Sequence, residues 1–285
     1  MNTTAFAPGK IILCGEYAVV FGSPGIAVPA PIGMKVMMEE NAAMRGVKIQ
    51  WHGIEGTEEW NRYARSAIEL LHEGKKPFRG TVTITNELPL GKGMGSSTAL
   101  VCALTRCLLG PGKREEALRV EDAMNPGHSG LDFSVIWSAK PVLFQKGKEP
   151  QAIDVQNMLQ DAVFIDTGMP TETTPQLVAW VKERSENPAI KRALDIIGGC
   201  APRLLNGEDL EDIFRDHHRA QITLGVVPPA TQKLIADIER AGGSAKVIGA
   251  GGKTGGGGIV LSLGISEHTV RKLPGAKGFL LLHLS

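Results

Sequence analysis

Glycines at 91, 93 and 95, followed by Ser96, Ser97 and Thr98, form the chain's densest cluster of residues suited to holding a phosphate group. They lie in NELPLGKGMGSSTAL (86–100), where a strand pattern (79–89) runs through a glycine loop into an apolar helix pattern (99–109) closed by Gly110 and Pro111. Glycine lets the backbone approach an anion without a Cβ in the way. The first N–H groups of a helix have no partner within it, and its dipole favours negative charge at that end. The two serines can cap the helix or offer a hydroxyl to Mg²⁺. Taken alone, the stretch also reads as a glycine turn with an ordinary Ser/Thr N-cap.

A second glycine cluster, IGAGGKTGGGG (248–258), contains Gly-Lys-Thr but is not a nucleotide P-loop. That motif requires a glycine five residues before Gly252, and Val247 stands there. The residues that follow, IVLSLG (259–264), read as a strand, whereas a P-loop opens a helix.

Two further stretches carry charged groups. VEDAMNPGHSGLDFSV (120–135) brings Asp132 after a glycine turn, with Glu121 eleven residues earlier, and FAPGKIILCGEYAVVFGSPGIAV (6–28) carries Lys10. A carboxylate on a short loop beside a phosphate site can orient and deprotonate an alcohol, and a lysine can neutralise the charge that develops. Singly, Asp132 and Lys10 are unremarked surface types.

The elements that must position these groups read as α+β in two lobes, with a seam near residue 150. Strand patterns occupy 6–17, 25–40 (interrupted by prolines), 44–53, 79–89, 141–147 and 161–168. Helical stripes fall at 58–74 and at roughly 171–184, 189–199, 208–223 and 229–241; a terminal strand GFLLLHLS closes the chain. The division expected is 1–150 for a phosphate-binding lobe and 151–285 for a lobe carrying the late glycine cluster.

The 285 residues suffice for such cores. Lys and Arg number 31 against 30 Asp and Glu, so no global field argues for nucleic acid or an anionic membrane surface. No apolar run approaches the ~20 residues of a membrane span, and the N-terminus lacks a signal-peptide pattern. The four cysteines, Cys14, Cys102, Cys107 and Cys200, form no CxxC pair, which fits reduced thiols in the cytoplasm.

Taken together, the three glycine-bearing stretches resemble, in order, the three motifs of the GHMP small-molecule kinases, and within them the mevalonate kinase branch. APGKIILCGEYAVVFGSPGIA is similar to that branch's APGKxILxGExAVVxGxPAIA, ELPLGKGMGSSTA to ELPxGxGLGSSAA, and AKVIGAGGKTGGGG to AKLTGAGGGGC, with Lys253-Thr254 as a small insertion. The similarity continues in DTGMPTETT (166–174) and in 224–252.

The resemblance implies a two-lobed fold with a ferredoxin-like C-terminal lobe and ATP-dependent phosphorylation of a primary alcohol, with mevalonate first. Phosphomevalonate or a sugar as acceptor, or a non-catalytic ATP-binding relative, remain alternatives. It implies Asp132 as base and Lys10 at the reacting oxygen, with Ser97 and Glu121 holding Mg²⁺. It implies ATP wrapped by Gly91, Lys92, Gly93, Met94, Gly95, Ser96 and Ser97, with Asn86 touching the nucleotide. Glu16, Tyr17, Thr173 and the third motif's Gly249, Ala250 and Gly251 would border the acceptor. Departures from the pattern are His128 in place of a proline, Tyr17 in place of a histidine, and a shortened 111–120 segment that leaves a homodimer open. His217 and His218 read as a solvated helix face.

Overall fold

The computed structural model describes residues 2–53, 57–74, 76–155 and 158–283. Two long strands, β1 (Asn2–Cys14) and β2 (Gly25–Glu40), pair antiparallel over nearly their whole lengths. β2 is one continuous strand despite Pro29 and Pro31. Its free edge is shared between β5 (Val142–Phe144), which pairs with residues 25–27, and β4 (Gly80–Asn86), which pairs with 34–40. The prolines fall in the gap between these partners, where a missing N–H removes no ladder bond to either.

β3 (Val47–Gly53) joins β4 in parallel through the crossover helix α1 (Glu58–His72), whose first turn is capped by the Thr57 side chain. β6 (Gln151–Ala152) extends the far edge, giving a six-stranded sheet. Helix α2 (Ser96–Leu109) lies against β1 and β2 and is buried on almost every side, which its largely apolar middle, Ala99–Leu104, permits. Helices α3 (Arg114–Met124) and α4 (Leu131–Ser138) pack beside it. The short interval after Gly110 therefore still holds a helix, with Glu115 and Glu116 in its first turn, where the dipole favours them.

The second sheet is antiparallel, in the order β10 (Leu280–Leu282), β7 (Val163–Asp166), β9 (Ile259–Leu263), β8 (Ser244–Val247). Its connections are the helices α5 (Thr174–Glu183), α6 (Pro188–Leu205), α7 (Leu210–Leu224), α8 (Pro229–Arg240) and α9 (Glu267–Lys272). The expected terminal strand is realised as β10, while its last two residues, Leu284 and Ser285, lie outside the described residues. The protein is thus mixed α+β with two sheets. The largest apolar core runs from Ala7 and Leu13 through α2 to Phe214, Ile248 and Leu261. All four cysteines are free and buried.

One expectation is overturned here. His217 and His218 are both buried, because α7 is covered by α6 on one face and by β8 and β1 on another.

Candidate active site

The loop from Gly91 to Gly95 is shaped by its neighbours. Gly95 takes the N-cap of α2 at φ 75°, and a Cβ there would meet Ile136 Cδ1 at 2.8 Å and Lys10 Cγ at 2.9 Å. The Gly91 N–H donates to Ser96 Oγ (3.1 Å), and the Lys10 N–H donates to the Met94 carbonyl (2.9 Å). The late glycine cluster braces the loop from behind. A Cβ on Gly93 would lie 2.5 Å from the Ile248 carbonyl oxygen, and the Ile259 N–H donates to the Lys92 carbonyl (3.1 Å).

In front of the loop lies a cavity of about 390 Å³. Gly91, Gly93, Gly95, Ser96 and Ser97 form one wall. Lys10, Glu121 and Asp132 line it as well, as do Glu16, Tyr17, Gly249 and Ala250. Lys10 Nζ, delivered by the interior of β1, is 3.4 Å from Asp132 Oδ1 in the first turn of α4. The lysine is buried and the aspartate about one third exposed, so the carboxylate faces the open side of the pair.

Glu121, near the end of α3, is buried. It accepts a hydrogen bond from Thr98 Oγ1 at 2.7 Å, and its other oxygen, Oε2, has no hydrogen-bond partner among the described residues. Burial pushes its carboxyl above the usual carboxylate range, opposed by the Thr98 hydroxyl. An orphaned buried carboxylate oxygen beside Ser97 and a phosphate loop fits a divalent cation. Among the described residues no group of three or more His, Cys, Asp and Glu could hold a metal by itself. A cation here would therefore draw on one carboxylate, a hydroxyl and phosphate oxygens, which is a common arrangement for Mg²⁺.

At the far end Glu16 is buried in a charge cluster. Its carboxylate pairs with the ammonium of Lys246 and lies 2.8 Å from His217 Nε2; Lys246 also donates to the Ile12 carbonyl (3.1 Å). Burial alone would raise the Glu16 carboxyl, but Lys246 and His217 hold it down at about 2, so it is an anion. Burial lowers His217, against the pull of Glu16. The next residue, Tyr17, has φ 66°, unusual for a non-glycine, and its hydroxyl donates to the Ala250 carbonyl.

Several expected site residues are not brought to the cavity wall. Lys92 turns away to pair with Asp166 Oδ2 at 2.5 Å, neither free in solvent nor on the phosphate side. Met94 is buried in the core beneath the loop. Asn86 is fully buried, its amide bonded to both the N–H and the carbonyl of Leu88 in a local turn. Thr173 is exposed at the N-cap of α5, where its N–H and hydroxyl donate to Gln176 Oε1, and its neighbours Thr174 and Pro175 reach the cavity instead. Gly251 packs on the Val226 carbonyl. His128 does line the cavity, and its Nε2 lies 2.7 Å from Asp122 Oδ1.

The structure adds roles and residues beyond those read from the sequence. Thr98 orients Glu121, and its place in the Ser-Ser-Thr run was the available signal. Asn125 Nδ2 donates to the Tyr63 hydroxyl (2.9 Å) at the cavity edge; only the Asn-Pro pair hinted at a turn there. Lys246 sits in an apolar strand, where a lone lysine marks a buried partner.

Residues 62–131 match the GHMP kinases N terminal domain. The mevalonate kinase of Thermococcus gammatolerans is 30% identical, over 88% of this chain and 87% of its own. That of Archaeoglobus fulgidus is 29% identical over 91% of each. The crystal structure of the Methanococcus jannaschii mevalonate kinase superposes with a TM-score of 0.80 at 18% identity, covering 99% of this chain and 96% of that one.

Proposed function

This chain belongs to the GHMP kinases, and from that premise we propose that it transfers the terminal phosphoryl group of ATP to the primary hydroxyl of mevalonate. The observation that carries the reading is the Lys10–Asp132 pair facing the same cavity as the Gly91–Ser97 loop. The neighbouring relatives of this length are mevalonate kinases, which favours that acceptor.

In this reading Asp132 accepts the proton of the acceptor hydroxyl as its oxygen attacks. Lys10 holds the charge that develops on that oxygen, from a side chain fixed by burial and so needing no reorganisation. The backbone N–H groups at the start of α2 face the phosphates, with Ser96 and Ser97 on the same wall. Glu121 and Ser97 would hold Mg²⁺, with Thr98 fixing the carboxylate. When bound, the ion supplies positive charge that offsets that of the phosphates. Glu16 and Tyr17 border the acceptor end. The division expected at residue 150 cuts the first sheet, because β6 (Gln151–Ala152) pairs with β5; we place the seam after β6, with the phosphate-binding lobe before it and the lobe that braces it after.

The test is incubation of the purified protein with mevalonate and MgATP, with mass identification of the product. Phosphomevalonate and ADP in equal amounts support the reading. ADP release only with phosphomevalonate or a sugar would reassign the acceptor.

A further inference from the structure

Lys253 and Thr254, the two residues that interrupt the late glycine cluster, have no role in the chemistry above. Both are fastened to the segment that leads into α5. Glu172 Oε2 accepts from the backbone N–H of Lys253 (2.9 Å) and of Thr254 (3.2 Å), and Glu172 Oε1 accepts from the Thr254 hydroxyl (2.7 Å). Around them the Thr171 N–H donates to the Thr254 carbonyl (3.1 Å) and the Gly256 N–H to the Met169 carbonyl (2.8 Å). Two turns into α5, the Lys253 ammonium stands 3.8 Å from the centre of the Trp180 ring.

These contacts matter because of what α5 does. Thr174, Pro175, Val178, Ala179 and Lys182 of this helix line the same cavity as the phosphate loop. The same glycine cluster is held at its other end by Tyr17, through the Ala250 carbonyl. One loop thus ties both borders of the acceptor end, while Lys10 and Asp132 are held separately by β1 and α4.

We propose that Glu172, with Lys253 and Thr254, is a clasp that fixes α5 as the wall against which the acceptor is positioned. The proposal rests on the reading of this cavity as the acceptor site. Glu172 is a positioning residue: it does not line the cavity and acts through the helix that follows it. Its bonds are near the surface, so water replaces them when they are lost and the fold survives. What loosens is the wall. Loss of binding shared equally by ground and transition states raises KM and leaves kcat alone.

The experiment compares wild type, Glu172→Ala, Thr254→Ala and Thr254→Ser, using MgATP with mevalonate, and follows hydrogen exchange across 174–183 without substrate. In Glu172→Ala the KM for mevalonate should rise about tenfold, with kcat and the KM for ATP within about twofold of wild type. Exchange in α5 should quicken, and Thr254→Ser should behave as wild type where Thr254→Ala does not. An unchanged mevalonate KM in Glu172→Ala, with wild type active, overturns the clasp and leaves the function standing. A wild type that does not phosphorylate mevalonate, with faster α5 exchange in Glu172→Ala, overturns the acceptor reading and keeps the clasp. A matching fall in kcat, or unaltered α5 exchange, also counts against it.

Discussion

Lys246→Met probes the charge cluster beneath the cavity. Lys246 is fully buried, paired with Glu16, bonded to the Ile12 carbonyl and 5.6 Å from the Phe214 ring centre. Methionine keeps the length and apolar body of the side chain, so little new cavity is made. What is lost is the cation, and Glu16 stays behind as a buried carboxylate with His217 alone. Breaking a buried pair from one side costs about 3–5 kcal/mol, because the remaining charge has no compensation. For a chain of this size that lowers the melting temperature by roughly 10 °C. The double variant Lys246→Met/Glu16→Gln removes the stranded charge as well and should recover at least half of the loss. Urea unfolding followed by circular dichroism, at pH 7, measures wild type and both variants. A Lys246→Met protein within about 1 kcal/mol of wild type, or a double variant no more stable than the single, would refute the account.

Asp132→Asn should lower kcat by about 10²–10⁴, the usual worth of a general base, with nucleotide affinity nearly unchanged, because the phosphate loop does not depend on it. Turnover near wild type, together with normal ATP binding by calorimetry, would remove Asp132 from the base role. His218 is held near 4 in the fold by burial, with His217 adding to the effect. In the unfolded chain it titrates near 6.5, so its contribution is intact above that pH. As pH falls from about 6.5 to 4 only the unfolded chain takes up the proton, and up to about 3 kcal/mol of stability is lost. His218→Gln should flatten that part of the acid slope; parallel slopes for the two proteins would contradict it.

The parts of the site legible in the sequence were those that lie together in the chain. Gly91, Gly93 and Gly95 announce a loop because all three take positive φ, and Gly93 also lies against the Ile248 carbonyl. The helix α7 was legible nearly to its ends, whereas α6, expected to stop at 199 beside Gly198 and Gly199, runs on to Leu205. The eight-residue α4 was not legible, since it is mostly apolar and too short to show a period. Partners far apart in the chain left no trace: Glu16 and Lys246 are 230 residues apart, and Lys92 and Asp166 are 74 apart. For that reason Lys92 reads from the sequence as a phosphate lysine, and His217 as a surface residue. Nor does the sequence show that the Asn86 amide is engaged with Leu88, two residues further on.

The bond from the Ile259 N–H to the Lys92 carbonyl has a bearing on how the protein comes into being. A ribosome delivers the glycine turn at 91–95 early and the residues that brace it last. At the usual pace of translation, the delay between the two is on the order of ten seconds. Throughout that interval the emerging polypeptide has the motif but not its backing. Retention of a stalled nascent chain on a nucleotide resin should therefore begin only once β9 has cleared the exit tunnel.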